Sequence, residues 1–196
     1  MTTNLLTRPG TARPSAVVSG VFGLAAGVCF VLFLALGDPG PKESAGLASD
    51  VLGWVQLLAL APVALALRGR MPAARVARTA CAVVAAAAVL TPVLEIVTHR
   101  SIWPGAVCTY LVFAWILLVS LAGHRRRSLP RPVTRAGLLI SAGASVGAVL
   151  LLPGLVTPDP LRQPFQAAGI GISLLAWLGQ PVFTLLLATY VFKEES

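Results

Sequence analysis

Thr91-Pro-Val-Leu-Glu-Ile-Val-Thr-His-Arg-Ser-Ile-Trp103 joins two long apolar runs and holds Glu95, the only acidic residue lying inside one of them. Its reading decides the fold. Each flanking run is about 20 residues long, enough to cross a hydrocarbon core roughly 30 Å thick. A backbone in lipid must satisfy its own hydrogen bonds, so such a run is a helix or a strand of a closed barrel. The runs do not alternate with period two and are rich in Ala, Leu and Val. They read as two membrane helices, about 75–97 and 103–122, joined by a polar turn at His99–Ser101.

Working outward from this hairpin, the same pattern recurs. Residues 1–14 are polar, with Arg8, Pro9, Arg13 and Pro14, and read as a cytoplasmic tail. Apolar runs at about 15–36, 50–67, 134–152 and 165–192 complete six helices, so the transmembrane domain covers 15–192 and a second tail covers 193–196. Ala35 and Gly37 imitate a signal-peptidase site, but the run before them exceeds the 7–15 residues of a signal core and is read as a span. Gly20, Gly23 and Gly27 recur at three and four, as do Gly143 and Gly147 at four, which sets small residues on one face for close helix contact. Asp38-Pro-Gly-Pro-Lys-Glu43 marks 37–49 as a loop. Asp50 reads as the cap of the second helix, which Pro62 should break. Four prolines between Pro153 and Pro164 predict an extended loop. Trp103 and Trp115 are placed as interfacial anchors near the two ends of the fourth helix.

Composition agrees. Hydrophobic residues are 57% of the chain and charged residues 11%, with a mean hydropathy of +0.85; a soluble domain carries about 25% charged residues. The net charge of +8 is gathered in the N-terminal tail and two loops, and aromatics are not interleaved with the arginines, which argues against a nucleic-acid partner. With the N-terminus inside, 12 of the 15 Lys and Arg residues lie on the cytoplasmic side; the others are Lys42, Arg100 and Arg162. That asymmetry predicts an inner (plasma) membrane protein with both termini cytoplasmic. The loop containing Arg125, Arg126 and Arg127 is its most basic part, where anionic lipid headgroups gather.

The same topology puts Asp38, Glu43, Asp50, Glu95 and Asp159 on the outer side, with His99, Trp54, Gln56, Trp103 and Gln166. Any cavity with chemistry should open outward. Two readings of Glu95 stand. It pairs with His99 at i+4 or with Arg100 and holds a helix end, or it lines a pocket near Asp50 and serves as proton donor or relay. Glu95, Asp50 and His99 are the candidate catalytic residues. Trp54, Gln56, Trp103 and Gln166 are candidate ligand-binding residues, although Trp54 also fits an interfacial anchor and Gln56 a helix–helix contact. Cys29, Cys81 and Cys108 form no Cys-x-x-Cys pair and read as small buried hydrophobes. No metal site and no cofactor signature is present in the sequence.

Leu52-Gly-Trp-Val-Gln56, and Phe165-Gln166 leading into Gly171–Trp177, resemble small actinobacterial six-helix membrane proteins of a domain-of-unknown-function family. The resemblance implies a six-helix bundle and no particular activity. Two functions remain in view. One is a non-enzymatic accessory protein, or a carrier for a small apolar molecule, with an outward polar pocket. The other is a membrane-embedded enzyme acting on a lipid or isoprenoid by acid chemistry from Glu95 with Asp50 or His99. The second resembles integral-membrane terpene cyclases in architecture alone.

Overall fold

The computed structural model describes residues 11–36, 38–71, 73–98, 102–156 and 162–193. Among them it is all-helical, with six helices: α1 (Ala12–Ala35), α2 (Pro39–Arg70), α3 (Arg75–Val97), α4 (Ile102–Arg126), α5 (Arg131–Val156) and α6 (Arg162–Tyr190). All six are long and apolar enough to cross a membrane. Large apolar side chains turn outward, with Leu139 at 74% exposure, Leu175 at 71% and Val97 at 68%. A surface of that kind is stable against lipid and not against water.

Each helix packs on its neighbours in sequence, and α1 closes onto α6. The result is a ring of six. The most extensive pairings are α1 with α2 and α5 with α6, and small residues stand in both, as they do where α1 meets α6. Gly20 and Gly27 of α1 admit Leu185 and Leu178 of α6, while Gly23 lies under the Gln56 side chain of α2. Gly147 of α5 meets Ser173 and the Gly169 carbonyl of α6. Without a hydrophobic drive between helices in lipid, close backbone approach and packing supply the association. The Ser49 hydroxyl on α2 donates to the Ala26 carbonyl on α1 at 3.1 Å, which ties the first pair further.

Several expectations are corrected. Trp115 is not an interfacial anchor; it is fully buried. Its Nε1 donates to Cys81 Sγ on α3 at 3.2 Å, and its ring meets Phe183 of α6 edge-on at 5.9 Å between centroids. It thus links three helices at the middle of the ring. Within the stretch 37–49 read as a loop, residues 39–49 are helical, because α2 begins at Pro39; Gly37 lies outside the described residues. Pro39 and Pro41 fall in the first turn, where the N–H that proline lacks has no intrahelical partner to lose. Asp50 is therefore inside a helix and caps nothing; Asp38 holds the N-cap position, without a side-chain bond. Pro62 does not break α2, which runs on to Arg70. The proline-rich 153–164 stretch is helical at both ends, with Pro153 in the last turn of α5 and Pro164 in the first turn of α6; residues 157–161 lie outside the described residues.

The basic loop is also shorter than expected, since α4 runs through Arg126 and α5 starts at Arg131. Arg127 adopts a φ of 52°. Its N–H reaches the His124 carbonyl at 3.3 Å, and the Ser128 N–H reaches the Gly123 carbonyl at 3.1 Å. This is the paired closing bond of a Schellman cap, with Leu129 packed over Gly123.

Candidate functional site

The end of the ring away from the arginines contains a polar chamber. Its lining comes from α1 (Phe30), α2 (Ser49, Asp50, Gly53, Trp54, Gln56 and Leu57), α3 (Glu95), α4 (Gly105, Thr109 and Val112) and α6 (Trp177 and Gln180), around a volume of about 230 Å³. Helical periodicity builds the α2 wall: Asp50, Gly53, Trp54 and Leu57 recur at three and four, so one face of the helix looks inward.

Glu95 is half-buried and faces this chamber. Trp54 Nε1 donates to its Oε2 at 2.5 Å. Its Oε1 lies over Gly105 of α4, where a side chain would collide with it. Glu95 therefore bridges α2, α3 and α4, and Gly105 makes the space for it. Trp54 is the donor that holds the carboxylate. The pairing of Glu95 with His99 or Arg100 falls on residues outside those described, as do the side chains of Trp103 and Gln166.

Two further side chains change the character of the chamber. Gln56 is 4% exposed and Gln180 is 3% exposed, and both line it. Among the described residues the buried side-chain oxygens left without a partner are the Ser19 and Ser120 hydroxyls, whereas the two carboxamides line the chamber. Gln56 lies across Gly23, where an added side chain would collide with its carboxamide. Amides that line a cavity can exchange hydrogen bonds with a ligand or water held there. Pro181 adds to this: lacking an N–H, it leaves the Trp177 carbonyl one turn earlier without its intrahelical donor.

A second cavity of about 390 Å³ adjoins the first and shares Phe30, Thr109 and Trp177 with it. It is apolar, with Tyr110 and Phe113 of α4, Ala144 of α5 and Ile170 and Leu174 of α6. Phe30 meets Trp177 edge-on at 5.7 Å between centroids, so an aromatic pair stands where the two spaces meet. Taken together they have the size of a small-molecule site, about 300–1,000 Å³.

Asp50 lines the chamber as expected, but its own side chain is exposed. The Ser49 hydroxyl, which donates to Ala26, is held by a backbone carbonyl and no base activates it. No group of three or more His, Cys, Asp or Glu residues able to hold a metal ion occurs among the described residues. Cys29, Cys81 and Cys108 are free thiols. The chamber can bind a group that gives a hydrogen bond to a carboxylate and exchanges others with two amides.

Sequence reasoning did not place Gln180 in the chamber and missed the apolar cleft. The Gln-Pro pair in mid-helix was the available signal, since a helix interrupted by proline in lipid keeps a polar neighbour for a reason. Comparison with protein-family models, with curated proteins and with solved structures finds no match for this chain.

Proposed function

We propose that this is a multi-pass inner-membrane protein that binds a small amphiphile, with its polar head in the Glu95 chamber and its apolar part in the adjoining cleft. The observation that carries this reading is the grouping of the Gln56 and Gln180 carboxamides with the Trp54–Glu95 bond around one chamber. The orientation rests on the arginines: Arg68, Arg70, Arg75, Arg125 and Arg126 close the end opposite the chamber, and positive segments remain in the cytoplasm. Both termini are then cytoplasmic and the chamber faces outward. A carrier or accessory protein that presents such a molecule to a partner is the function that this arrangement serves.

The head group follows from the lining. Two carboxylates and no lysine or arginine line the chamber, so an anionic head is repelled and a donor head, an amine or a hydroxyl, is accepted. Phe30, Trp54 and Trp177 offer ring faces to a cation. The test uses the protein in phosphatidylcholine nanodiscs, titrated with dodecylamine, dodecanol and dodecanoate while the tryptophan emission is followed. Dodecylamine and dodecanol should shift the emission at lower concentration than dodecanoate, and Glu95→Gln should weaken dodecylamine at least tenfold. Equal response to all three, or an unchanged response in Glu95→Gln, overturns the reading.

A second reading is favoured by Glu95 and Asp50 sharing one cavity. Acid chemistry on a lipid or isoprenoid would use Glu95 as proton donor and the aromatic walls to face developing positive charge. It predicts that Glu95→Gln keeps binding and loses turnover, the opposite of the binding protein, in which affinity falls.

A further inference from the structure

A second groove lies at the opposite end, between the start of α3 and the end of α4. Its volume is about 510 Å³. Arg75 comes from α3, and Arg125 and Arg126 from the last turn of α4; between them the floor is apolar, with Val76, Leu118 and Leu121. No carboxylate pairs with these three arginines among the described residues, and Asp38, Glu43, Asp50 and Glu95, the acidic residues among them, all belong to the other end of the bundle. Val76 is 66% exposed, so the apolar floor continues onto the outer surface of the ring. The groove thus presents three guanidinium groups at the rim of the bundle and an apolar track leading from them along the helices.

We infer that this groove is a binding site for one anionic phospholipid, its phosphate held by Arg75, Arg125 and Arg126 and an acyl chain laid along Val76, Leu118 and Leu121. Three features separate a site from the general attraction of a basic loop. The arginines come from two helices that the hairpin brings together, they flank an apolar track of matching direction, and guanidinium groups bind phosphate oxygens in pairs. Arg127 belongs to the same run of sequence but does not line the groove; its backbone closes α4. The fit is to a lipid and not to free phosphate, because half of the groove has no polar group to offer. The site is independent of the chamber and its ligand.

The experiment is native mass spectrometry of the full chain released from nanodiscs of 1:1 phosphatidylglycerol and phosphatidylcholine with the same acyl chains. One phosphatidylglycerol should stay bound in preference to phosphatidylcholine. A charged residue near an anionic headgroup is worth about 1 kcal/mol, or about fivefold. The triple variant R75Q/R125Q/R126Q should therefore lose the preference by roughly two orders of magnitude. R131Q/R135Q, which removes charge from the same end but not from the groove, should reduce it less than about fivefold. Leu118→Glu, which puts a carboxylate on the apolar track, should also release the lipid. Thermal unfolding of each variant reports that the fold is kept. Equal retention of the two lipids by the native chain, an equal loss in R131Q/R135Q, or displacement by millimolar inorganic phosphate would overturn the site.

Discussion

At the scale of the residue, the Trp54–Glu95 bond concentrates the chemistry of the chamber. A carboxylate inside an apolar bundle needs a donor, and Trp54 Nε1 is the donor supplied by the described residues. Trp54→Phe keeps most of the ring and removes that N–H. It should lower stability by about 1–3 kcal/mol, the cost of unpairing a charged acceptor, read as a lower midpoint in thermal unfolding in mild detergent. An unchanged midpoint would show that Glu95 finds another donor, and the chamber would then need another account. Gln56 and Gln180 are of a different kind. Both line the same cavity, which makes them tenable as ligand contacts as well as contacts between helices.

At the scale of the element, glycine positions set which helices touch and how closely. Two of them make opposite predictions. At Gly147 an added Cβ would meet the Ser173 backbone nitrogen at 2.9 Å and the Gly169 carbonyl oxygen at 3.1 Å. Backbone cannot step aside, so α5 and α6 must separate. Gly147→Ala should cost about 1–3 kcal/mol, as overpacking does, with no direct effect on the chamber. At Gly23 the added Cβ would meet only the end of the Gln56 side chain, with Cδ at 2.6 Å. That end can swing into the chamber. Gly23→Ala should leave unfolding nearly unchanged and weaken dodecylamine binding severalfold. Measuring both variants in both assays checks the pair, and a Gly23→Ala protein that unfolds early but binds normally would contradict the packing described. The long α2 also has meaning at this scale. Its 32 residues extend about 48 Å at 1.5 Å per residue, well beyond a core of about 30 Å.

At the scale of the molecule, a closed ring of six separates two ends of unlike charge. The chamber and the described acidic residues occupy one end, the arginines the other, with Trp115 and Phe183 filling the middle. A water path from end to end would have to pass that aromatic plug, so the arrangement suits a one-sided site better than a channel. Orientation gives the prediction for this scale. With Cys29, Cys81 and Cys108 replaced by alanine, a cysteine at position 43 should react with a membrane-impermeant maleimide applied to intact cells, and one at position 127 should react only after lysis. The reverse pattern would turn the chamber toward the cytoplasm and the phospholipid groove outward.

Amino-acid order alone determined the class of this protein: six apolar runs of spanning length, small-residue stripes on α1 and α5, and an arginine asymmetry that pairs with an even helix count. These are local and additive quantities, legible because lipid leaves a backbone so few choices. It also pointed to Glu95 as the unusual residue, since a lone carboxylate in an apolar run stands out without any coordinates. Proline was misread at the start of α2 and at Pro62 because its cost depends on position in the helix and on neighbours that re-satisfy the backbone. The partner of Glu95 was decided by the tertiary structure. Trp54 is 41 positions away in sequence, and only the packing of α2 against α3 brings them together. The same holds for Gln180 joining Gln56 through the closure of α1 on α6, for Trp115 moving from a supposed anchor to the centre, and for Arg75 meeting Arg125 and Arg126. Which face of a helix turns inward depends on all its neighbours at once, and in a chain apolar on every side no periodicity in the sequence marks that face.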